Sequence, residues 1–263
     1  MTNVEKYDII FCIFACATIK KYYDEILLIN STWGQYITNK KIKLLFFLGE
    51  EKTDLEGDNY VYLKNVSNDY ESASHKQNLG LKHIYENYKF KFVFCCGTDN
   101  FINIYKLKKC LKRYNHKKKL YIGDEYEYRQ LGDMNCFYFL GGGGFVLSYR
   151  CLKEVYPYLE NLFKEWVDIC TTTSNQYLCQ NNYLISACDV AMGYILQKYI
   201  KPIQIKLNKQ FFCCNYKGYA HNIKCCADTI DIKNIISCHY MEPNDFIDFD
   251  KILKENNYFL YEN

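Results

Sequence analysis

Short apolar runs alternate with amphipathic stretches through the first half of this chain, which is the pattern of strand and helix units wound onto a parallel sheet. Residues 8–17 read as a first strand, Ile42–Leu48 as a second, residues 59–63 as a short third, and Lys89–Cys96 (KFKFVFCC) as a central one. Between them, residues 20–36 place Tyr23, Ile26, Leu27 and Trp33 at helical spacing. Residues 71–88 predict a helix that turns Leu79, His83 and Tyr88 toward the sheet. The central strand stops at Gly97-Thr98-Asp99-Asn100, and open α/β sheets bind ligands beyond the carboxyl ends of their strands. Position alone nominates Asp99.

Farther on, residues 106–119 form an amphipathic helix with a lysine-rich face that runs into a basic loop. After Tyr121-Ile122-Gly123 comes a polar loop, then an apolar strand over 136–140 that feeds Gly141, Gly142, Gly143 and Gly144. Such a run lets the backbone approach a ligand, but it has neither the Walker lysine nor the spacing of a dinucleotide fingerprint. Helices over 149–163, 190–199 and 246–254 and strands near Ile203 and Ile235 complete the pattern. No repeat, linker or low-complexity tract interrupts it, and residues 1–263 read as a single domain.

Composition narrows the function classes. With 33 Lys+Arg against 30 Asp+Glu, the net charge of +3 lacks the cation surplus of a dedicated nucleic-acid binder. No run of about 18 apolar residues occurs, which argues against a membrane span. The stretch 9–19 has the length of a signal-peptide core, but Glu5 and Asp8 spoil its positive flank. These features predict a soluble, cytoplasmic protein. Most of its 15 cysteines read as buried free thiols, because a chain this long has core enough without staples. A metal site assembled from Cys213, Cys214, His221, Cys225 and Cys226 is the competing reading.

Several segments, taken in order, resemble the fringe-like β1,3-glycosyltransferases. They are Ser31-Thr32-Trp33, FCCGTDNFIN over 94–103, Tyr121-Ile122-Gly123 with Arg129, FLGGGGFVLS over 139–148, CDVAMG over 188–193 and SCHYMEP over 237–243. The resemblance implies a GT-A type α/β fold, a mostly parallel twisted sheet flanked by helices that binds a nucleotide sugar. It implies a metal-dependent, inverting hexosyltransferase that moves galactose or N-acetylglucosamine from a UDP-sugar to a glycan or glycoprotein acceptor through a β1,3 linkage. Asp99 and His239 would then hold Mn²⁺ or Mg²⁺, with His221 as the substitute ligand. Asp189 would be the catalytic base. Thr18, Thr98, Arg129 and the four glycines would face donor or acceptor.

Two departures stand out. Gly97 and Thr98 occupy the first two places of an acidic motif usually made of three aspartates, and Cys188 replaces the first acid of the later block. They motivate an alternative, a noncatalytic sugar or nucleotide-sugar binding module. Each site residue also has a plain structural reading: Asp99 and Asp189 as turn or helix caps, Arg129 as a surface ion pair, the glycines as a tight turn, and Trp33 as packing.

Overall fold

In the computed structural model, residues 6–124, 126–172, 183–221, 223–225 and 230–258 are described. A seven-stranded sheet has the order β10-β6-β9-β4-β1-β2-β3. Its strands are β1 (Lys6–Phe14), β2 (Ile42–Leu48), β3 (Tyr60–Tyr62), β4 (Lys89–Cys96), β6 (Leu120–Gly123), β9 (Phe145–Ser148) and β10 (Gln204–Leu207). All neighbours run parallel except β9, which is antiparallel to both β4 and β6. The central strands are apolar on both faces because helices cover both faces. From β1 and β4, Ile10, Cys12, Val93 and Cys95 enter one core, while Ile9, Phe11, Ile13, Phe92 and Phe94 enter the other.

The chain proceeds from β1 outward to β2 and β3, then returns to place β4 on the other side of β1. This reversal opens a crevice beyond the carboxyl ends of β1 and β4, where a doubly wound sheet takes its ligand. Helix α1 (Lys20–Ser31) follows β1, and α2 (Ala73–Asn87) precedes β4. The remaining helices are α3 (Ile104–Leu111), α4 (Tyr149–Val155), α5 (Leu162–Thr172), α6 (Tyr183–Ser186), α7 (Cys188–Tyr199) and α8 (Pro243–Glu255). Beside the main sheet, β11 (Phe211–Phe212), β14 (Ser237–Cys238) and β5 (Phe101–Ile102) form a small second one. The strands β12 (Tyr219–Ala220) and β13 (Ile223–Lys224) pair as an isolated hairpin.

Ile42–Leu48 and Lys89–Cys96 are strands at the expected boundaries. Other expectations need correction. The polar loop after Gly123 is instead β7 (Tyr126–Leu131), paired with β8 (Met134–Phe139) across the two-residue turn Gly132-Asp133. The expected helix over 20–36 ends at Ser31, and Trp33–Tyr36 form a separate 3₁₀ turn. The buried side of α2 carries Lys76, Gln77, Gly80, Leu81 and Ile84, and the expected sheet-facing residues are partly buried beside it, Leu79 and Tyr88 packed against the core and His83 edge-on to Phe47 of β2. Carbonyls accept from two of these polar side chains, Asp69 from Lys76 at 3.0 Å and Cys188 from Gln77 at 2.9 Å.

Trp33 is packing, as its plain reading has it, yet it also holds the strand end. It is fully buried against Phe11, and its indole N–H donates to the Asn100 carbonyl at 2.9 Å. Trp33→Ala is expected to cost about 3–5 kcal/mol through the cavity it leaves, whereas Trp33→Phe costs about 1–3 kcal/mol through the orphaned carbonyl. Urea denaturation checks both, and equal costs would show that the hydrogen bond contributes nothing.

Candidate active site

The glycine run is the hinge of the site. Gly141–Gly143 form a 3₁₀ turn between β8 and β9, and Gly144 leaves it at φ +72°, a left-handed conformation that favours glycine. On one side of the turn, the Gly141 N–H donates to Asp189 Oδ2 at 2.9 Å. On the other, Gly142 lies against the His239 ring so closely that a Cβ at 142 would overlap Nδ1. Adjacent glycines thus touch the two carboxylate-bearing parts of the site, and neither position has room for a side chain.

Asp189 sits in the first turn of α7, where backbone N–H groups lack helical acceptors. Its Oδ1 accepts from the Val190 N–H at 2.8 Å. The helix is capped by Ala187, so Asp189 is not its N-cap. Burial raises the Asp189 carboxyl, and the backbone donors and Arg129 oppose that shift without cancelling it. A carboxylate with a raised pKa is the better proton acceptor once ionised.

Asp99 follows β4, and its partner arrives from the far end of the chain. Strands β5 and β14 are antiparallel, with Ser237 opposite Ile102 and Cys238 opposite Phe101. Continuing this register carries residue 239 toward 99–100, and the Met241 N–H donates to the Asp99 carbonyl at 3.1 Å. His239 Nε2 lies 3.1 Å from Asp99 Oδ2. Burial works against the Asp99 charge, but the neighbouring imidazole, its hydrogen bond and Lys21 outweigh it and hold the carboxyl below its usual range. His239 Nδ1 is buried without a hydrogen-bond partner. By contrast, His221 is exposed and meets the Tyr240 ring edge-on.

The other nominated residues divide. Thr98 is buried, and its hydroxyl donates to the Glu25 carboxylate. Thr18 is exposed at the mouth of the crevice, with its hydroxyl 3.4 Å from the Asn68 carbonyl. Arg129 lies over the Tyr138 ring, 5.8 Å from its centroid, in the electrostatic field of Asp189, and its Nη1 is buried without a partner. The Gly143 carbonyl accepts from Ser237 Oγ, and a Cβ at Gly144 would strike the Phe94 ring. Among the described residues, no group of three or more His, Cys, Asp and Glu side chains could hold a metal ion. Cys213, Cys214, His221 and Cys225 of the competing metal-site reading therefore form no such group, and Cys226 lies outside the described residues.

Two site residues escape a reading by sequence alone. Asn100 is buried, and its amide donates to the Gly142 carbonyl at 2.5 Å, fixing the glycine turn to the end of β4. The adjacency of Asn100 to Asp99 is the only sequence signal for it. Glu25, with a side chain only 3% exposed, stands on α1 beside Thr98. Burial, then the nearby Asp99 charge, push its carboxyl from 4.5 to about 7, against the hydrogen bond from Thr98 and the attraction of Lys21.

The raised Glu25 carboxyl sets a pH dependence. The folded state keeps its proton where the unfolded chain has lost it, so this contribution is full below pH about 4.5 and is lost as pH rises toward 7. The loss is up to roughly 3 kcal/mol. Glu25→Gln should therefore match the parent near pH 4 and exceed it in stability at pH 8. Urea midpoints at the two pH values check this, and parallel profiles would contradict it.

A seven-stranded, mostly parallel sheet flanked by helices, with carboxylates gathered beyond its strand ends, is the architecture of a GT-A type domain. The chain belongs to the Fringe-like family, whose model matches residues 4–214. Membership implies glycosyltransferase activity in general, and so a sugar donor and an acceptor. The match takes in Asp99, Arg129, the four glycines and Asp189 but ends before His239, which the fold brings to Asp99. No curated protein matches the chain.

Proposed function

We propose that the protein is a metal-dependent, inverting glycosyltransferase that moves a hexose, galactose or N-acetylglucosamine, from a UDP-sugar to an acceptor hydroxyl in β1,3 linkage. The supporting observation is the glycine turn, which contacts Asp189 through Gly141 and His239 through Gly142. A base for the acceptor and an anchor for the donor's diphosphate thereby share one ledge.

In this reading, Asp189 takes the proton of the attacking hydroxyl. The Gly141 and Val190 N–H groups orient its carboxylate. Arg129, with an unsatisfied N–H group buried near Asp189, pairs with an anionic group of the bound substrates. The low carboxyl of Asp99 supplies a hard oxygen and His239 an imidazole nitrogen, a donor pair that suits Mn²⁺ or Mg²⁺ with its remaining positions filled by diphosphate and water. The cation, when bound, stabilises the negative charge of the departing UDP. Gly141–Gly144 let the sugar lie against main chain, and Thr18 is exposed to donor or acceptor, whereas Thr98 is buried with its hydroxyl held by Glu25.

Purified protein with Mn²⁺ and a panel of UDP-sugars, with and without glycan acceptors, tests the proposal. Release of UDP from one donor is expected, and no release or transfer by folded protein would contradict it. A specific observation favours a second reading, a binding module. Thr98 spends its hydroxyl on Glu25, and burial pushes the Cys188 thiol up, so neither supplies the anionic oxygen of an acidic residue. Donor binding without turnover, indifferent to Mn²⁺ and EDTA, would support the module.

We place the protein in the cytosol. The buried thiols of Cys12, Cys95, Cys136 and Cys151 are free, as a reducing compartment keeps them. Among the described residues, no helix is long and apolar enough to cross a membrane. Glycans on the sequon residues Asn30 or Asn65 would overturn the cytosolic assignment.

A further inference from the structure

Just beyond β1, Cys16 meets a lysine that has no acidic partner among the described residues. Lys76, in the first turn of α2, is 1% exposed, and Cys16 is 5% exposed. The Lys76 ammonium lies 2.9 Å from Cys16 Sγ and 3.0 Å from the Asp69 carbonyl. A buried ammonium is costly without a compensating charge, so its pairing with a thiol is an unusual use of that position. A nucleophilic sulfur and an amine are thus held in direct contact, and nothing in the proposed sugar transfer uses either.

We propose that Cys16 and Lys76 form a reversible covalent bridge, Sγ–O–Nζ, when the protein meets hydrogen peroxide. The thiol first gives its electron pair to one peroxide oxygen, which yields a sulfenic acid and one water. The sulfenic oxygen then joins Lys76 Nζ, which first gives its ammonium proton to solvent, as a second peroxide accepts two electrons, and two further waters leave. One thiol, one ammonium and two peroxides thus become one bridge, three waters and one proton. The 2.9 Å separation is one that a single oxygen spans with little movement, whereas a direct sulfur–nitrogen bond requires the two atoms to close. Burial raises the Cys16 thiol, with Lys76 opposing that shift, so peroxide is needed in excess. The bridge ties the end of β1 to α2 across 60 residues of sequence.

The test is peroxide treatment of the full-length protein, alkylation and tryptic digestion without reductant, read by mass spectrometry. The peptide carrying Cys16 should appear joined to the one carrying Lys76, heavier than their sum by one oxygen and lighter by two hydrogens. Dithiothreitol should release both peptides, and the joined species should be absent from Cys16→Ser and Lys76→Arg. Recovery of Cys16 only as thiol, sulfinic or sulfonic acid would overturn the proposal, as would a link without the oxygen or one that persists in Lys76→Arg. The parent protein's digest decides the matter even if a variant fails to fold.

Discussion

Asp189→Asn is expected to lower sugar transfer by about 10²–10⁴-fold, the range for loss of a positioned general base, with the protein still folded. The amide oxygen retains an acceptor for the Gly141 N–H, now 2.9 Å from Asp189 Oδ2, so the glycine turn keeps its anchor. What is lost is the capacity to take a proton from the acceptor, together with the hydrogen bond that Oδ1 accepts from the Val190 N–H at 2.8 Å. The effect should fall on kcat, with donor affinity changed far less. Initial rates with saturating UDP-sugar and acceptor check this. A variant with parental kcat would remove Asp189 from the chemistry and leave it the structural role of orienting Gly141.

The second large effect is expected at a residue with no chemistry of its own. In Gly142→Ala the new methyl group falls on the His239 ring, and the turn has little freedom to retreat. The Gly142 carbonyl is held by Asn100, and Ser237 binds the next carbonyl. The imidazole is therefore the part that gives, and its 3.1 Å contact with Asp99 is disturbed. Overpacking of this kind costs about 1–3 kcal/mol of stability, and metal-dependent turnover should fall at least about 100-fold, comparable to losing a group that stabilises transition-state charge. Thermal unfolding and a manganese titration of activity check the two parts. A stable variant with an unchanged manganese response would show that His239 is not held in place by the turn.

Much of this arrangement is legible in the sequence, for reasons particular to each element. The apolar blocks Ile42–Leu48 and Lys89–Cys96 are buried on both faces, so their composition alone marks them as strands. Asp99 follows from its place after the second of these. The β7–β8 hairpin is less visible because Tyr126, Glu127 and Tyr128 are exposed and look like a polar loop. Its signal is the Gly132-Asp133 pair between two alternating runs, with Gly132 at φ +57°. The buried face of α2 is hidden for the opposite reason, since Lys76, Gln77 and Asn78 are polar residues in core positions.

The pairing of Asp99 with His239 spans 140 residues and depends on the register of two-residue strands, which no local pattern encodes. Resemblance places a histidine near that end of the chain, but only the fold shows that His239, and not His221, lies beside Asp99. Glu25 and Asn100 are invisible for a related reason. Each acquires its role through a neighbour distant in sequence, Thr98 for the first and Gly142 for the second.

Titration calorimetry of UDP into the parent protein and Asp99→Ala, each with Mn²⁺ and with EDTA, tests most directly whether the Asp99 and His239 ledge receives a donor through a cation. For the parent, manganese should tighten UDP binding by at least tenfold, about 1.4 kcal/mol, and in Asp99→Ala that gain should vanish while the protein still melts cooperatively. Equal affinity with and without manganese in the parent, or an undiminished gain in Asp99→Ala, would contradict it.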